Sequence, residues 1–124
     1  INNFVGGKEF HWGNNKMVGL NAKFIWSGGK RLVPLDLEAS IEEGEAVYKI
    51  DESWSVKADD YLRLDIGARL HFFKVRSEHV ISLDIQNVTN RLNTWAQLYD
   101  AENEQSIEYP MAGLIPVLSY RISF

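Results

Sequence analysis

The chain contains no cysteine, which excludes disulfide frameworks and thiolate metal sites and leaves the redox compartment unreadable. Histidine is scarce. Its three copies, His11, His71 and His79, do not show metal-ligand spacing: none stands four residues from another, and no carboxylate-bracketed pair occurs. Positive charge is not concentrated either. No basic run exceeds Lys30-Arg31, and with a net charge of −4 at pH 7 the chain lacks the basic face that a nucleic-acid partner requires. Long hydrophobic runs are absent too, because no stretch approaches the roughly eighteen apolar residues of a membrane helix. The amino terminus lacks the charged start and apolar core of a signal peptide. Ile1 leads directly into Asn2-Asn3-Phe4-Val5, and the reading is that the chain begins inside a longer protein.

What is present is alternation. The 124 residues, 45% of them hydrophobic, fit one domain by length. From Tyr61 to Phe73 the even positions Leu62, Leu64, Ile66, Ala68, Leu70 and Phe72 are apolar, while Arg63, Asp65, Gly67, Arg69 and His71 intervene. Glu78 to Asn90 repeats the pattern with Ile81, Leu83 and Ile85 against Ser82, Asp84 and Gln86. Met17 to Trp26 sets Val18, Leu20, Ala22, Phe24 and Trp26 against Gly19, Asn21 and Lys23. Leu114 to Phe124 does the same, with Pro116, Leu118, Tyr120 and Ile122 against Ser119, Arg121 and Ser123. Period two means a β-strand with one apolar and one polar face. A weaker strand is read from Asn3 to Trp12, so the expected fold is all-β: an antiparallel meander of about five long strands.

Turn lengths test this pattern. Pairing Phe73 with Glu78 across Lys74-Val75-Arg76-Ser77 places Asp65 near Gln86, Gly67 near Asp84 and Arg69 near Ser82, so the two polar faces coincide as a hairpin requires. For the first hairpin a three-residue turn, Gly13-Asn14-Asn15, puts Phe4, Phe10 and Trp12 on the apolar face. Lys8 is carried there with them. The other connections, residues 27–60 and 91–113, are long. Short turns at one sheet end and long loops at the other, together with strands far above the usual five or six residues, resemble the plan of an outer-membrane barrel. On the polar face Lys23, Arg63, Asp65, Arg69, Asp84, Gln86 and Arg121 mix both signs, which suits a wet lumen. Moving one such Arg to the lipid side at mid-membrane would cost about 2–4 kcal/mol.

Other motifs have plainer readings. Asp59-Asp60 and Glu42-Glu43-Gly44-Glu45 read as solvated loop carboxylates, not as a cation site. Gly28-Gly29-Lys30 lacks the spacing of a phosphate loop. Asn87-Val88-Thr89 matches a glycosylation acceptor but falls in a predicted strand. No nucleophile elbow or clustered Ser/His/Asp spacing points to an enzyme.

Tyr61-Leu-Arg-Leu-Asp65, Leu83-Asp-Ile-Gln-Asn87-Val-Thr-Asn90-Arg91, Tyr109, and Gly113-Leu-Ile-Pro116-Val-Leu-Ser-Tyr120-Arg-Ile-Ser-Phe124 closely resemble the carboxyl-terminal strands of TonB-dependent receptors of the Bacteroidetes type. Gly28-Gly29-Lys30-Arg31, Pro34, Asp36 and Ser40 are similar to a Gly-Lys-Arg, Pro-x-Asp and Ser pattern of the same receptors. The resemblance runs from about residue 17 to 124.

It implies a plug inside a barrel of about twenty-two strands, of which residues 1–124 would be the closing segment; the plug and earlier strands have no counterpart here. The implied function is import of a nutrient such as a siderophore or glycan across the outer membrane of a Gram-negative bacterium, with no catalysis and no cofactor. The implied partners are outer-membrane lipid, the rest of the barrel and its plug, the TonB complex acting through that plug, the barrel assembly machinery, and a surface lipoprotein in some relatives. Tyr120, Ile122 and Phe124 resemble the terminal assembly signal, which puts the carboxyl terminus at the periplasmic face. Lys30, Arg31, Asp36, Trp95 and Tyr99 are the ligand-binding candidates in the loops. The competing reading is a free-standing soluble β-domain that binds a ligand through the same loops.

Overall fold

The computed structural model describes residues 1–124. It is all-β, and five strands form one antiparallel sheet. These are β1 (Asn2–His11), β2 (Lys16–Ser27), β5 (Tyr61–Phe73), β6 (Glu78–Gln86) and β9 (Ile115–Ser123), in the order β1-β2-β5-β6-β9. The sheet is open, so β1 and β9 each have one neighbour.

Both short turns have the lengths that alternation demands. Trp12 N–H donates to Lys16 O at 2.9 Å across Gly13-Asn14-Asn15, with Gly13 at φ 68°, a left-handed conformation that glycine adopts without steric cost. Phe4 then pairs with Phe24 and Phe10 with Val18, and Lys8 sits opposite Leu20 on the same face. Across 74–77, Phe73 pairs with Glu78, Gly67 with Asp84 and Arg69 with Ser82. Phe73 N–H donates to Asn15 O at 2.9 Å, which ties the two short turns to the same end of the sheet. The last strand continues the register, with Leu118 opposite Leu83, Tyr120 opposite Ile81 and Ile122 opposite His79.

One expectation is corrected. The strand drawn to Asn90 stops at Gln86, because Asn87 turns left-handed at φ 51° and its side chain holds the next turn. Its amide donates to Arg91 O at 2.9 Å and its carbonyl accepts from Arg91 N–H at 3.3 Å. Asparagine tolerates that backbone and bonds locally, so Asn87-Val88-Thr89 lies in a turn and not in a strand.

The long connections carry structure of their own. Residues 27–61 and 92–112 form a second compact unit. It contains a short ladder of β3 (Arg31–Leu32) with β4 (Val56–Lys57), the helix α1 (Leu37–Glu43), a 3-10 turn at Ile50–Glu52, and a hairpin of β7 (Thr94–Asp100) with β8 (Gln105–Pro110).

Local chemistry explains α1. Asp36 caps its start by accepting from Ala39 N–H at 3.2 Å, and Gly44 ends it at φ 74°. Ser40 is fully buried: its hydroxyl donates to Asp36 O and accepts from Val47 N–H at 3.0 Å, which fastens the helix to the segment after it. Asp36 is further paired with Lys49 at 3.9 Å.

The sheet has almost no core of its own. Leu32 and Val80 are the buried hydrophobic residues of the chain, and one face of the sheet exposes Phe10, Leu20, Phe24, Ile66, Ile81, Leu83 and Leu118.

Candidate functional site

The register collects the polar candidates on one face. Arg63 forks onto Asp65, with Nε to Oδ1 at 2.7 Å and Nη2 to Oδ2 at 2.9 Å, and Nη2 also donates to Gln86 Oε1 at 2.9 Å. Asp65 Oδ1 accepts the Asn87 N–H at 2.8 Å as well. Bidentate charged bonds of this kind fix both side chains in one geometry. Further along, Arg69, His71, Ser82, Asp84, Ser119 and Arg121 line a groove of about 270 Å³ with Val80 at its floor, and His71 Nδ1 lies 2.9 Å from Glu78 Oε1. Gly67 leaves room between Asn21 and Asp84 on the same face. Lys23, opposite Val5, shares the odd-numbered face of β2 with Asn21.

The three residues that resemble a terminal assembly signal lie on the edge strand β9 and just past it. Tyr120 and Ile122 project on the apolar side, and Phe124 is 97% exposed beyond the strand. Tyr120 Oη is 2.6 Å from His79 Nδ1, and the two rings stack at 6.1 Å. His79 Nε2 lies 3.1 Å from Ser77 Oγ. His71 and His79 therefore face opposite sides of the sheet.

Of the five loop candidates, two come together. Lys30 Nζ donates to Trp95 O at 3.3 Å and lies 4.6 Å from the centre of the Trp95 ring, a cation–π contact worth about 0.5–1 kcal/mol at an exposed site. Both line a cavity of about 470 Å³ with Leu32, Val33, Tyr48, Ile50, Ser53, Ala96 and Gln97. A β-bulge between Thr94 and Ala96 sets Trp95 out of the β7–β8 register. Arg31 instead donates to Trp54 O at 3.1 Å, Asp36 is consumed as the cap of α1, and Tyr99 sits opposite Ser106 in the hairpin, outside the cavity.

Sequence reasoning missed Tyr48, Ile50 and Gln97. Tyr48 Oη donates to Gln97 O at 3.0 Å, which joins segments far apart in the chain. Only the spacing of Tyr48 and Ile50, two residues apart, hinted at a shared face. An apolar cavity with ring surfaces, one ammonium and one serine hydroxyl suits a ligand that offers a flat face and a few acceptors.

At the hairpin tip, the Asn103 side-chain amide donates to Asp100 Oδ2 at 2.7 Å, and the backbone N–H groups of Glu102 and Asn103 donate to Oδ1. These bonds to the ionised form hold the Asp100 carboxyl below the usual aspartate range.

Comparison with family models, with curated proteins and with solved structures returned no match.

Proposed function

We propose that the chain is the carboxyl-terminal barrel segment of a TonB-dependent outer-membrane receptor of the Bacteroidetes type, which imports a nutrient such as a siderophore or glycan. The observation that carries this reading is the uncovered apolar face of a sheet whose strands run 9 to 13 residues. A water-soluble sheet buries one face against a second layer, and contiguous exposed apolar surface marks a membrane or partner contact. Tilted membrane strands need about nine to eleven residues. The opposite face carries Lys23, Arg63, Asp65, Arg69, Asp84, Gln86 and Arg121, a polar lining for a plugged lumen. The open edges of β1 and β9 belong to the same logic, since an unpaired backbone group in hydrocarbon costs several kcal/mol and must find a strand from the rest of the barrel.

In this reading the short turns and Phe124 face the periplasm, and the folded connections face outward with the Lys30–Trp95 cavity among the ligand surfaces. The TonB complex acts through the plug, and a surface lipoprotein can cover the outer loops. The barrel assembly machinery captures β9 by strand addition, with Tyr120, Ile122 and Phe124 as the recognised side chains.

The test is fractionation of the full-length protein in a Gram-negative host. It should enter the outer membrane as a heat-modifiable barrel, and deletion of Phe124 should lower that yield. Recovery of residues 1–124 as a monomeric, cooperatively folded species without detergent would overturn the reading in favour of a soluble ligand-binding domain.

A further inference from the structure

The apolar side of the sheet has a one-signed ionic pattern. The acidic residues of the five strands, Glu9, Asp65, Glu78 and Asp84, belong to the polar face. The charged strand residues on the apolar face are Lys8 and Lys16. Lys8 leaves its strand opposite Leu20, yet its ammonium lies 5.3 Å from the centre of the Phe10 ring, two residues nearer the short turn. The Lys16 ammonium, at the start of β2, lies 5.9 Å from the centre of the Phe72 ring.

The Lys16 contact and its neighbours gather at the short-turn end of the sheet, and Lys8 reaches toward that end from a position opposite Leu20. Trp12 N–H donates to Lys16 O, Phe72 pairs with His79, and the Tyr120 hydroxyl is bonded to His79. Side chains with apolar bodies and polar tips gathered toward one strand end are what a membrane–water boundary selects.

We infer that this row binds the phosphodiester headgroup of an anionic glycerophospholipid. Lys8 and Lys16 supply the ammonium groups, and Trp12 and Phe72 supply ring surfaces for the glycerol and the first methylenes. The inference rests on the membrane-spanning reading above.

Charge selects the occupant. A zwitterionic headgroup brings its own cation, which two lysines repel, whereas an anionic one leaves its phosphate charge free to pair. Away from the short turns the apolar face runs on through Ala22, Phe24, Ile66, Leu83 and Ile85, which continues as an acyl-chain contact and offers a soluble acidic protein nothing to pair with. Each ammonium near an anionic surface favours binding about five-fold, and salt weakens the effect.

The test reconstitutes the full-length protein in phosphatidylcholine vesicles that carry brominated phosphatidylglycerol or brominated phosphatidylcholine. Quenching at Trp12 is taken as the difference between wild type and Trp12→Phe. Phosphatidylglycerol should quench several-fold more effectively. Lys8→Gln and Lys16→Gln should each reduce that preference and together abolish it, while Lys23→Gln on the polar face leaves it unchanged and all variants insert as heat-modifiable barrels. Equal quenching by the two lipids in wild type, or a preference that survives the double substitution, overturns the site. Displacement by inorganic phosphate at matched ionic strength overturns the headgroup as occupant. Failure of the wild type to insert overturns instead the barrel reading.

Discussion

Gly67 faces Asp84 across the β5–β6 pair so closely that a Cβ on the glycine would collide with the Asp84 carboxylate and lie 2.7 Å from the Asn21 side-chain amide. Both obstacles are the ends of flexible side chains and can swing aside. Gly29 is different, because there the Cβ would overlap the Ala58 backbone carbonyl. Gly67→Ala should therefore cost about 1 kcal/mol and Gly29→Ala about 3 kcal/mol, the two ends of the overpacking range. Denaturant unfolding should show the first, and faster exchange of the Ala58 amide, now bonded to Lys30 O at 2.9 Å, should show the second.

Asp65 serves Arg63 and the Asn87 N–H at once. Asp65→Asn keeps the shape but removes the charge, so it should cost about 1.5–3 kcal/mol as bonds to an ionised acceptor are lost. The readout is a lower unfolding midpoint together with loss of exchange protection at Asn87. An unchanged Asn87 amide would show that the turn after β6 holds itself without the carboxylate.

Ser40→Ala removes the acceptor of the Val47 N–H inside a buried site, and an orphaned buried donor costs about 1–3 kcal/mol. Asp36→Ala removes the cap of α1 at about 0.5–2 kcal/mol. Amide exchange should separate them, with Val47 deprotected by the first and Ala39 by the second.

The Asp100 carboxyl titrates below the usual aspartate range, chiefly through the Asn103 side-chain amide. A depressed pKa means that the hairpin tip gains local stability above the unfolded value, and loses it as pH falls through the folded value, below about pH 4. The Glu102 and Asn103 amides should accordingly lose protection in acid and be insensitive at neutral pH. In Asp100→Asn that pH dependence should vanish.

The sheet was legible because its information is periodic. A one-residue error in either short turn would have put Arg69 opposite Ile81 or Phe10 opposite Gly19, so alternation and turn length checked each other. The end of β6 was not legible by period, since the local bonding of Asn87 competes with the ladder just where the pattern still runs on. Asp36 was read as part of a Pro-x-Asp pattern and as a ligand-binding candidate, although the spacing from Asp36 to Gly44 carries the cap-to-cap signal of a short helix. The cavity was half legible. Lys30 and Trp95 stand out as residue types, but Tyr48 reaches them only through tertiary packing that no local pattern encodes.

The three-residue turn at Gly13-Asn14-Asn15 also sets which length changes the gene can tolerate. With β2 held by β5, one added codon in that turn would roll β1 over, sending Phe4, Phe10 and Trp12 to the wet side and Glu9 to the greasy one. The connections through residues 27–60 and 87–114 impose no such parity on the strands they join. In-frame insertions and deletions should accumulate there, and length should stay invariant at 13–15 and 74–77.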